Sequence, residues 1–160
     1  MKWMIPIDVC GNYILIYDVQ GTQAAILTNT GFKQTIKTAM PIVDANIASQ
    51  GTVAILMQDG EAGYVQVCND AGKVLASGEL HMKNSGYPLA IALSSTAQRL
   101  MVSQLDVKDG NVKTTISFYD FSNKGKDEID NIVATYSFSD QIIPQIAYVD
   151  GDKAIAFGDS

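Results

Sequence analysis

Apolar positions in this chain come in short runs, and the polar breaks between the runs recur about every forty residues. The stretch from Gly11 to Asp18 (GNYILIYD) matches Gly51 to Gln58 (GTVAILMQ), Ala97 to Gln104 (AQRLMVSQ) and Gly151 to Gly158 (GDKAIAFG), in pattern rather than identity. A second landmark follows downstream, where Asn29 to Lys33, Asn69 to Lys73 and Phe121 to Lys126 each interrupt two apolar runs. Gly11 to Gly51 is forty positions and Gly31 to Gly72 forty-one, so two independent landmarks report nearly the same period. Repeats of this size, built from short strands, point to the blades of a β-propeller.

The residues within the runs favour strand. Val, Ile, Thr, Tyr and Phe dominate, the runs end at turn-forming pairs such as Asp59-Gly60, Asp109-Gly110 and Asp150-Gly151, and Thr114 to Tyr119 alternates as a half-buried strand does. No window of eleven or more residues carries a capped helical stripe, so the chain reads as nearly all β. All four prolines, Pro6, Pro41, Pro88 and Pro144, stand just ahead of the first apolar run of a copy. A strand start tolerates the missing amide donor, so they mark four strand starts. The runs behind them, Ile7 to Val9, Ile42 to Ala48, Leu89 to Leu93 and Ile146 to Val149, are the expected inner strands around an axis. There the small residues Ala45, Ala48, Ala90, Ala92 and Ala147 would let neighbouring blades approach closely.

The expected fold is therefore all-β, a partial propeller of about three and a half four-stranded antiparallel blades in one domain spanning 1–160. The copies run about 1–40, 41–81 and 82–137, with a partial blade at 138–160. The third copy carries extra residues around Asp106 to Val112 and Lys124 to Asn131. Complete propellers have four to eight blades. Either the chain is a fragment of a longer protein, the favoured reading, or it completes itself by association through its open blade edges.

Composition narrows the partners. With 160 residues, 47% of them hydrophobic and 18% charged, the chain can bury one core. The net charge of −6, with ten lysines scattered through turns and Arg99 as the one arginine, lacks the basic clustering that nucleic acid or an anionic membrane requires. Met1 to Pro6 lacks the apolar stretch of a secretory leader, and no run elsewhere is long enough to span a bilayer, so no membrane insertion by this segment is expected. The mixed-sign run from Lys124 to Asp130 reads as a solvated loop.

Candidate chemistry is sparse. Cys10 and Cys68, in different copies and without CxxC spacing, read as free buried thiols, although two cysteines could also bridge. His81 is the sole histidine, at the junction of copies two and three, so a zinc site or a Ser-His-Asp arrangement would depend wholly on it. Asp106 to Asn111 faintly resembles a calcium loop but lacks the closing Glu, and a hairpin tip is the simpler reading. Trp3, Tyr13, Tyr17, Tyr64 and Tyr119 could form an aromatic face for sugar or peptide, or could be blade core. Asp8, Asp44 and Asp150, near the inner strands, are the candidate acids, and a pair about 5 to 9 Å apart in an open pocket would suit glycoside chemistry.

The segment Asn69-Asp70-Ala71-Gly72-Lys73-Val74-Leu75 resembles the Asp-x-x-Gly-Lys-x-x-Trp element of quinoprotein-like and WD40-like propellers, with Asn29 to Lys33 a weaker echo. The tryptophan of that element is absent at Ala76, and so are the Trp-Asp, kelch Gly-Gly and Asp-box signatures of other propellers. The whole is also similar to propeller domains of Gram-positive bacterial surface proteins, which follow an N-terminal membrane anchor. That resemblance implies an extracytoplasmic location. The function expected is a non-catalytic binding or interaction module presenting loops to a protein, peptide or glycan, with no catalytic residue, metal or cofactor assigned. The alternative is a fragment of a propeller enzyme, a hydrolase or lyase, completed by missing blades.

Overall fold

A computed structural model describes residues 5–121, 132–149 and 153–159. Trp3, the 124–130 charge run, Asp150 and the Gly151 landmark lie outside the described residues.

Among the described residues, fourteen strands are arranged in four antiparallel sheets, each following chain order. The first holds β1 (Ile7–Cys10), β2 (Tyr13–Tyr17), β3 (Gln23–Thr28) and β4 (Gly31–Lys37). The second holds β5 (Ile42–Ile47), β6 (Val53–Asp59), β7 (Ala62–Cys68) and β8 (Val74–Glu79). One helical turn, α1 (Met82–Ser85), leads into the third: β9 (Tyr87–Leu93), β10 (Arg99–Lys108), β11 (Asn111–Asp120) and β12 (Ile132–Ser139). The fourth contains β13 (Ile142–Val149) and β14 (Lys153–Asp159). The first strands lie side by side, β1 against β5, β5 against β9 and β9 against β13. Sheets stacked face to face around adjacent first strands form a partial β-propeller.

The stacking explains the run pattern. In β6, Val53, Ile55 and Met57 pack toward the first sheet while Ala54 and Leu56 pack toward the third, so both faces are buried and the strand reads as one apolar run. In β10, Leu100 and Val102 join the second-sheet seam and Met101 the fourth-sheet seam. Where only one face is covered, as in β2, Leu15 and Tyr17 are buried while Ile14 and Ile16 are only partly covered.

Turn chemistry sits where the repeat places it. Gly11, Gly51 and Ala97, equivalent in the aligned copies, all have positive φ, at 59°, 86° and 60°. Glycine takes that conformation without steric cost, whereas Ala97 is held there by its hairpin. At Gly51 a side chain would also collide with Tyr13 and Asp70 of the neighbouring turns. Asp109 and Gly110, at φ 52° and 77°, form a two-residue tip between β10 and β11. Asp106 belongs to β10 itself, so the stretch read as a faint calcium loop is a hairpin.

Two proline positions depart from expectation. Pro6 and Pro41 do precede their strands, and their carbonyls accept from Tyr17 N–H at 3.3 Å and Gln58 N–H at 3.0 Å, pairing that needs no proline donor. Pro88 and Pro144 lie inside β9 and β13, beside register shifts at Ser103/Gln104 and between Ile142 and Gln145. A bulge interrupts the ladder locally and absorbs the absent N–H there. The expected boundary at Ser137 also falls inside β12, which stays paired to β11 as far as Lys113 opposite Ser139.

Candidate functional site: the axial cleft

The first strands enclose a cleft of about 450 Å³ along the axis, lined from every sheet. Its polar wall comprises Asp8, Tyr17, Asp44, Asn46 and Gln145, and its apolar wall includes Ile91, Ile146 and Phe157.

Each first strand is the inner edge of its sheet, and its outward N–H groups need acceptors. The preceding sheet supplies them. Asp8 Oδ2 in β1 accepts from Ile47 N–H in β5 at 2.7 Å and from Asn46 Nδ2 at 2.7 Å. Asp44 Oδ2 in β5 accepts from Ile91 N–H in β9 at 2.9 Å, and Asn46 Oδ1 accepts from Leu93 N–H at 2.9 Å. Asp44 Oδ1 meanwhile accepts from Tyr17 Oη at 2.9 Å and Ala45 N–H at 3.0 Å. The spacing Asp44-Ala45-Asn46 is the strand period of two, which puts both acceptors on one side of β5. These side chains therefore clamp the first three sheets around the axis.

Burial pushes the Asp8 carboxyl above its ordinary range, against the pull of the Ile47 N–H. Burial likewise raises Asp44, outweighing its donors Ile91 N–H, Tyr17 Oη and Ala45 N–H, and the Asp8 charge adds to the rise. The Tyr17 phenol is driven upward by burial and by the Asp44 charge. In this partly dry cleft burial, and for Asp44 the nearby Asp8 charge as well, makes each carboxyl harder to ionise than in water.

The other sequence candidates disperse. Tyr119 is buried between the second and third sheets, and burial raises its hydroxyl. Tyr64 packs beside the first seam with Oη 3.3 Å from Ser77 Oγ. Tyr13 lies at the turns, donating to Asp70 Oδ2 at 3.1 Å while Lys33 Nζ reaches the same oxygen at 2.9 Å and lies 5.9 Å from the Tyr13 ring centre. The Lys33 ammonium holds Asp70 below its ordinary value. Of the aromatic set, Tyr17 alone among the described residues lines the cleft. Cys10 and Cys68 are free thiols, half-buried and buried, and burial raises both. His81 is exposed ahead of α1, away from the cleft lining. Among the described residues no three His, Cys, Asp or Glu side chains group as metal ligands.

Sequence reasoning singled out Asp8 and Asp44 as candidate acids and passed over Asn46. A polar residue two positions from an aspartate within an otherwise apolar inner strand is the signal that marks it. Ser49 and Gln50 were also missed; they tie the second and third sheets at their turns, Ser49 Oγ donating to Ser95 O at 2.7 Å and Gln50 Nε2 to Thr96 O at 2.9 Å.

Residues 5–160 match the sequence profile of a family described as "Family of unknown function (DUF5711)". The chain belongs to this family. No functionally curated protein matches it. Among solved structures, AztD from Citrobacter koseri in its apo form is similar over 79% of the chain and 35% of its own length, at 11% identity and a TM-score of 0.49. A chain of the nidogen/laminin complex is similar over 81% of the chain and 62% of its own, at 11% identity and a TM-score of 0.44. This DUF5711 member thus spans about a third of the first and less than two thirds of the second.

Proposed function

We propose that this chain is a non-catalytic binding or interaction module, an extracytoplasmic propeller scaffold whose axial cleft and flanking loops receive a protein, peptide or glycan. The observation that carries this reading is the commitment of the axial polar groups. Asp8 Oδ2, Asp44 Oδ2 and Asn46 Oδ1 each accept from an N–H of the next sheet, at 2.7–2.9 Å, so they rigidify the cleft. A preformed, largely polar hollow whose side chains are held in fixed positions suits recognition of a polar ligand. The extracytoplasmic, surface-protein setting rests on the resemblance of the Asn69 to Leu75 segment and the repeat pattern. The net charge of −6 argues against nucleic acid as the partner.

The test is a panel of immobilised glycans and peptides probed with the labelled chain, run beside hydrolase and lyase assays on the same glycans. Saturable binding that is lost in Phe157→Lys, with unchanged substrate, supports the module. Turnover abolished by Asp8→Asn or Asp44→Asn in a folded variant would instead make the axial carboxyls the acids of an enzyme.

A further inference from the structure

We draw no further inference here: the strongest candidate, the carboxyl pair Asp8 and Asp44 on the polar wall of the axial cleft as a seat for an ammonium ligand, belongs to the site already described, and both carboxyls are engaged by donors of the protein itself, with nothing in the structure that points to such a ligand.

Discussion

The seam between the second and third sheets and the seam between the third and fourth are made from the same repeat, yet they are held differently. The first buries Ala54, Leu56, Val65, Leu100, Val102 and Tyr119 in one cluster and is laced at the axis by Asp44 and Asn46. The other has a smaller cluster around Ala90, Ala92, Met101, Ile116, Ile143 and Ile146. Its polar ties are hydroxyls, Ser103 Oγ donating to Ile143 O at 2.7 Å and Thr114 Oγ1 to Gln141 O at 2.6 Å. Since β9 offers Ala90 and Ala92 where β5 offers Asp44 and Asn46, its neighbour β13 is docked by packing and hydroxyls, not by carboxylate clamps. The complete seam is the stability core of the described residues, and the seam between the third and fourth sheets is held more lightly.

Removing apolar volume from the complete seam should have the largest effect. Leu56→Ala, fully buried at the middle of β6, should cost about 2–5 kcal/mol in urea unfolding. Next comes the clamp. Asp44→Ala leaves the Ile91 N–H and the Tyr17 hydroxyl without their acceptor, and the buried donors should cost about 1–3 kcal/mol by the same measurement.

The raised carboxyls give the clamp a pH signature. Asp8 and Asp44 bind protons more tightly folded than unfolded, so stability should rise as pH falls from 7 through their folded values. The gain should level off near the ordinary carboxylate value, about 4, where the unfolded chain takes up the same protons. Urea midpoints across this range should show the rise in the natural chain and lose it in the Asp8→Asn, Asp44→Asn double variant.

Smaller effects sharpen the contrast. Ala97→Gly relaxes the φ of 60° on the turn between β9 and β10 and should stabilise by up to about 1 kcal/mol in thermal unfolding. Ile155→Ala, on β14 and 42% exposed, should change the stability of this chain by less than about 1 kcal/mol. A loss as large as that of Leu56→Ala would show that the two seams do not differ.

The architecture was legible because its signals are local and repeated. Glycine at the inner turn, the Asn–Gly–Lys break and the apolar run of each second strand all report one four-stranded unit, and each unit meets only its neighbours. Pro88 and Pro144 were misread because a bulge is set by register against the partner strand, which composition does not carry. The axial site was half legible. Asp8 and Asp44 stood out as charges in apolar strands, but their work depends on the next copy's backbone, forty-odd residues away, so acids and clamps look alike in sequence. The tyrosines separate for the same reason, because seam or surface is decided by which face the neighbouring sheet covers.

The central claim, that polar side chains of one inner strand cap the edge of the next, is tested most directly at a single amide. Hydrogen exchange at Ile91 N–H should be slow in the natural chain and markedly faster in Asp44→Ala, while Leu93 N–H, held by Asn46, stays protected. Equal exchange at Ile91 in the two proteins would mean that no such cap joins the sheets.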